Sequence, residues 1–218
     1  MTHKTIAAMA AVALALGQWT APAVAQQTDV FSLNYFDHAY GWDQASADPS
    51  GSNFQDASVR ITNPGTQGAP TLADPTNGDL CAMIYVFRPD QQLAECCGCP
   101  VTPNGLVTLS VNRHLTSNPL TDDPFPSGVV KILSSTGTVE TGRSGHSYLR
   151  CNAAAPTPTP TLLAWGTHIQ GSGALTETAF TPAALSADEL DSMVGRCGDI
   201  LGNGSGHGVC ECPSEGHP

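Results

Sequence analysis

Two short cysteine clusters carry the strongest chemical signal in this 218-residue chain: Cys96-Cys97-Gly98-Cys99-Pro100 and Cys210-Glu211-Cys212, joined by Cys81, Cys151 and Cys197 elsewhere. Thiols have two main fates, oxidation to disulfides in an exported protein or ligation of a soft metal. Bridging neighbours within either cluster would strain the peptide or close a very small ring, so relaxed bridges must run to distant cysteines. A bridge from the Cys96–Cys99 segment to the C-terminal cluster closes a loop of roughly 110 residues, worth about 4–5 kcal/mol in the chain-entropy account. Eight cysteines allow about 105 full pairings, and spacing does not choose among them. The alternative is a metal site. His207, Cys210, Cys212 and His217 are ligand types suited to zinc or copper(I). Their spacing matches no standard finger, and the Cys96-Cys97-Gly98-Cys99 run lacks the βαβ setting of a thioredoxin-like Cys-x-x-Cys motif.

Other chemistry is thinner. Residues 31–54 hold Phe31, Tyr35, Phe36, Tyr40, Trp42 and Phe54, interspersed with Asn34, Asp37, His38, Asp43, Gln44 and Asp48. Aromatic faces stack on sugars while amides and carboxylates bond hydroxyls, so Tyr35, Tyr40, Trp42 and Asp43 are candidate ligand-binding residues. The plainer reading is an N-terminal strand burying its aromatics. Asp37, Asp43 and Asp48 offer oxygen ligands for calcium, without an EF-hand pattern. No Gly-x-Ser-x-Gly elbow is present, and Ser144 and His146 read as turn residues. Glu140 and Glu177 are the glutamates to test for a glycosidase-like pair, a reading that depends on their separation. Gly202–Gly208 follows a helical pattern rather than a strand, so it reads as a helix stop leading to Cys210, not as a phosphate loop. Asn203-Gly204-Ser205 matches a glycosylation acceptor.

The N-terminus sets the expected compartment. Lys4 precedes an apolar run, Ile6 to Leu16, and Ala23-Val24-Ala25 forms a small-residue cleavage site. Residues 1–25 therefore read as a signal peptide, too short in its apolar run to span a bilayer. Cleavage near Ala25 leaves residues 26–218 as one secreted or periplasmic domain, with no transmembrane segment expected. The whole chain carries a formal charge of −11, and losing Lys4 makes the mature chain −12. That charge disfavours nucleic acid and anionic membrane surfaces as partners.

The elements that must position the cysteines are mostly short strands. Ala57–Thr62, Val107–Val111 and Leu163–Ile169 alternate in the period of half-buried strands, and Val130 and Ile132 flank Lys131 in another. Leu80–Phe87 is nearly all apolar and predicts a central strand buried on both faces. With frequent Gly and Pro turns, the pattern predicts a disulfide-stapled, mostly β, antiparallel sandwich-like domain. One C-terminal helix is expected: Ser186 and Glu189 form a capping box, and Leu190, Met193, Val194, Cys197 and Leu201 form its apolar stripe. The Pro/Thr-rich stretch 153–161 has five cysteines before it and three after. With both counts odd, full pairing within the chain forces at least one bridge across it, so it reads as a loop within the domain.

Three segments (Leu80–Phe87, Glu95–Leu106 and Asn203–Cys212) together resemble a group of uncharacterised secreted bacterial proteins sharing the Cys-Cys-Gly-Cys-Pro core. The resemblance implies secretion and a cysteine framework, and carries no functional residues. The leading expectation is a non-catalytic secreted binding or surface-structural protein whose partner is a glycan or another surface protein. The alternatives are a glycosidase-like secreted hydrolase and an extracytoplasmic zinc or copper binder.

Overall fold

A computed structural model describes residues 30–37, 56–121, 125–169 and 174–213. Twelve strands and one α-helix follow in order among them: β1 (Phe31–Asp37), β2 (Ser58–Thr62), β3 (Leu80–Phe87), β4 (Leu93–Val101), β5 (Leu106–Ser110), β6 (Ser127–Thr136), β7 (Thr138–Thr141), β8 (Ser147–Arg150), β9 (Thr157–Pro158), β10 (Leu163–Ile169), β11 (Leu175–Ala179), β12 (Thr181–Pro182) and α1 (Ala187–Gly202). A single wide helical turn, Val111–Leu115, continues from β5.

The strands build two antiparallel sheets, as the turn-rich alternating sequence predicts. The larger runs β12-β1-β6-β3-β4, with β9 added at one end of β6; the smaller runs β11-β10-β2-β5. Strands β7 and β8 form a separate hairpin. Val59, Ile61 and Leu109 of the smaller sheet meet Leu80, Ala82, Ile84, Val86, Val130 and Ile132 of the larger in one core. On the larger sheet's other face, Cys81, Met83, Tyr85 and Leu133 pack on Met193, Cys197 and Ile200 of α1. The larger sheet is thus the middle of three layers. This is why β3, buried along all but its last residue, reads as a continuous apolar run rather than an alternating one. Each fully buried large apolar side chain there contributes about 1.5–3 kcal/mol.

The helix follows its start signal. The Ser186 hydroxyl accepts a hydrogen bond from the Glu189 N–H at 3.1 Å. The Glu189 carboxylate is engaged by Lys131 across the layer, at 2.5 Å. The stripe departs from expectation at its end: Leu201 is exposed, and Ile200 is the buried residue. Met193, Cys197 and Ile200 repeat at i, i+4, i+7, the spacing of one helix face.

The Pro/Thr stretch is drawn into the fold. Its Thr157 and Pro158 pair with Thr136 and Ser135 of β6, and the Tyr85 hydroxyl donates to the Ala153 carbonyl at 2.7 Å. Three disulfides cross it. Among the described residues no helix is long and apolar enough to cross a membrane.

Candidate functional site

All eight cysteines are paired: Cys81–Cys151, Cys96–Cys197, Cys97–Cys210 and Cys99–Cys212. Strand alternation explains the pairing. Successive side chains of β4 point to opposite faces. Cys96 joins the helix-side cluster and bonds Cys197. Cys97 and Cys99 face the inter-sheet core and take the tail cysteines. Those last two bridges span the same separation, 113 residues, the constant offset of two parallel extended segments. The backbone agrees. The Cys96 N–H donates to Gly208 O at 2.9 Å and the Cys210 N–H to Cys96 O at 3.3 Å, and Cys96 and Val209 form a parallel bridge. The tail therefore covers the outer edge of β4, an edge otherwise open to pairing with another chain.

The two glycines at this junction are there for space. A Cβ on Gly98 would lie 2.8 Å from Cys151 Cβ and 2.9 Å from its carbonyl oxygen. Gly208 has φ +82°, and a Cβ there would meet Ile200 at 2.8 Å. Gly98 thus lets the Cys81–Cys151 segment pack on β4 between the other bridges.

Cys210 and Cys212 are oxidised, so the set His207, Cys210, Cys212 and His217 offers no thiolates to zinc or copper while these bridges stand. His207 is exposed, and His217 lies outside the described residues.

Glu95 sits beside this junction and is fully buried. One carboxylate oxygen accepts from the Asn118 N–H at 2.9 Å; the other has no hydrogen-bond partner. Burial pushes its pKa up to about 7, the Asn118 N–H opposes the rise, and nearby Glu211 adds to it. No sequence pattern singles out this carboxyl, because it stands among cysteines whose burial depends on distant partners.

The second candidate region lies on the helix side of the larger sheet. A groove of about 530 Å³ runs between β1, the ends of β3 and β6, the turn after β3, and α1. Tyr35, Arg88, Lys131, Glu189, Ser192 and Arg196 are among its walls. Tyr35 is 58% exposed and stacks on His168, ring centroids 4.2 Å apart. His168 is itself buried; its Nε2 is 2.7 Å from Thr178 Oγ1, its Nδ1 has no partner, and burial lowers its pKa. The Lys131 ammonium lies 4.4 Å from the centre of the Phe87 ring as well as beside Glu189. Arg196 donates to the Gln91 carbonyl at 3.2 Å. Three of the chain's eight Lys and Arg residues thus line one groove of an acidic protein.

Of the aromatic patch, Phe31 and Phe36 are buried and Tyr35 is exposed. The plainer reading holds for the two phenylalanines, and the ligand-facing reading stays open for Tyr35. Tyr40, Trp42, Asp43 and Asp48 lie outside the described residues. Asp37 closes β1.

The hydrolase candidates are wired for structure. Glu140 bonds Arg150 at 2.9 Å and Tyr148 at 2.8 Å, and these bonds hold its pKa below the usual carboxylate range. Glu177 pairs with Arg60 at 2.6 Å in the smaller sheet. Ser144 and His146 lie in the exposed turn of the β7–β8 hairpin, where the Gly142 N–H donates to His146 O. Asp56, Ser110 and His114 do meet, an approach the sequence reading missed. There, however, the Ser110 hydroxyl donates to Asp56, and His114 Nδ1 accepts from the Ser110 N–H. A triad needs the hydroxyl on the imidazole; here the contacts brace the wide turn after β5.

The fold is that of a disulfide-stapled antiparallel β protein with one C-terminal helix. Comparison with protein-family models, with curated proteins and with solved structures found no match to this chain.

Proposed function

We propose that the protein is exported, loses residues 1–25, and acts outside the cytoplasm as a non-catalytic binding module for a glycan. Four disulfides and the N-terminal export pattern support the compartment. The observation that carries the binding reading is Tyr35. A large aromatic face stands open on a groove wall, braced from behind by a buried histidine and flanked by Lys131, Glu189, Ser192 and Arg196. An open aromatic beside hydroxyl-bonding groups suits the two surfaces of a sugar ring.

The test is a glycan array with the mature protein, followed by titration of any hit. Tyr35→Ala is expected to weaken binding about tenfold, the loss of one stacking contact of about 1.4 kcal/mol. Arg196→Ala is expected to weaken it further. No glycan bound, or binding indifferent to both changes, overturns the reading.

A further inference from the structure

The bridges Cys97–Cys210 and Cys99–Cys212 stand side by side, and the Sγ atoms of Cys97, Cys99 and Cys212 lie within 4.8 Å of one another. The fourth sulfur, Cys210, is bonded to the first. A zinc ion held by four thiolates needs sulfurs about 3.8 Å apart, the edge of a tetrahedron with Zn–S bonds of about 2.3 Å. Two extended segments, each presenting cysteines at i and i+2, gather three of the four sulfurs within 4.8 Å, and opening the two S–S bonds lets the four separate toward that spacing. Backbone hydrogen bonds between β4 and the tail also hold the segments together independently of the sulfurs. We infer that the reduced form of this double bridge is a tetrathiolate site for a soft metal such as zinc, made of Cys97, Cys99, Cys210 and Cys212. Metal and bridges exclude each other there.

The chemistry balances with a dithiol as reductant. Two dithiol molecules break the two S–S bonds by thiol–disulfide exchange and supply four electrons and four protons, each closing its own disulfide. The metal then displaces the four thiol protons and keeps its oxidation state. Cys212 is the partly exposed member of the cluster and the point of entry for the reductant. The ligand set draws two cysteines from β4 and needs neither His207 nor His217.

The experiment uses the full mature protein, reduced by a dithiol under native conditions, freed of reductant without air, and titrated with cobalt(II) and then zinc. The expected result is one cobalt per chain with the absorption of a tetrahedral thiolate site, displaced by zinc. Alkylation with zinc bound should spare Cys97, Cys99, Cys210 and Cys212, as mapped by mass spectrometry. Cys81→Ser with Cys151→Ser, and His207→Ala with His217→Ala, should leave binding intact; Cys99→Ser with Cys212→Ser should abolish it. The alkylation map on the unsubstituted chain keeps the test independent of whether a variant folds. No cobalt thiolate absorption, or protection of other cysteines, overturns the inference.

Discussion

The larger sheet is held differently at its two sides. Its β4 edge is covalent, with three disulfides leaving four consecutive residues to reach the helix and the tail. Its β1–β6 side meets the helix through Lys131–Glu189 and the smaller sheet through Tyr35–His168, both non-covalent. Cross-links at one side fix the frame while the partly exposed contacts at the other leave side chains able to meet a ligand. On the proposed glycan-binding reading, rigidity and recognition are separated on one sheet.

The largest effect that sharpens this comparison is sulfur removal, and it should be non-additive. Cys97–Cys210 and Cys99–Cys212 close nearly the same loop, so either one makes the other a closure of only a few residues. Loss of either bridge by paired serine substitution is expected to cost about 2 kcal/mol, and loss of both about 5 kcal/mol, the loop that remains being pinned by Cys96–Cys197. Thermal and denaturant unfolding of the three variants checks this; strict additivity would mean that the bridges restrain different segments.

Glu95 gives the next effect. Its folded pKa is raised to about 7, above its value in an unfolded chain, so the folded state binds the proton more tightly. Its stabilising contribution is full below about pH 4.5 and is lost as pH rises through 7, about 3 kcal/mol in all. Glu95→Gln should flatten that slope in urea unfolding measured from pH 4.5 to 8. An unchanged slope would show that Glu95 does not titrate in this range. Gly98→Ala follows, with a cost of about 1–3 kcal/mol, because the added methyl meets the Cys151 backbone rather than a flexible side-chain end. The smallest effect belongs to the groove: Glu189→Gln removes a partly exposed ion pair and should cost about 0.5–1 kcal/mol. A loss there as large as that of a disulfide would erase the contrast between the two sides.

What was legible in the sequence follows from the range of the interactions. Strand β3 matches the predicted Leu80–Phe87 because an all-apolar run needs no partner to be recognised. The helix start was legible because its cap is local. Strand β4 was not: Leu-Ala-Glu-Cys-Cys-Gly-Cys-Pro-Val has no alternation to read, since each cysteine's side is set by a partner about a hundred residues away. Parity foresaw a bridge across the Pro/Thr stretch, but choosing among pairings required the alternation of a strand that had not been recognised. The groove was hidden for a similar reason. Tyr35 stood out as an aromatic, whereas Lys131, Glu189 and Arg196 come together only when α1 packs on β6. Leu201 fell on the wrong face because a stripe read by spacing does not fix which residue of the last turn turns inward.

The central claim is that all eight cysteines form the scaffold of an exported protein. The mass of the intact, unreduced protein recovered from outside the cytoplasm, taken before and after alkylation, tests it most directly. The account predicts a chain beginning at Gln26, eight hydrogens lighter than its reduced form as four disulfides require, with no alkyl group added. A retained N-terminus, or thiols that alkylate without prior reduction, would contradict it.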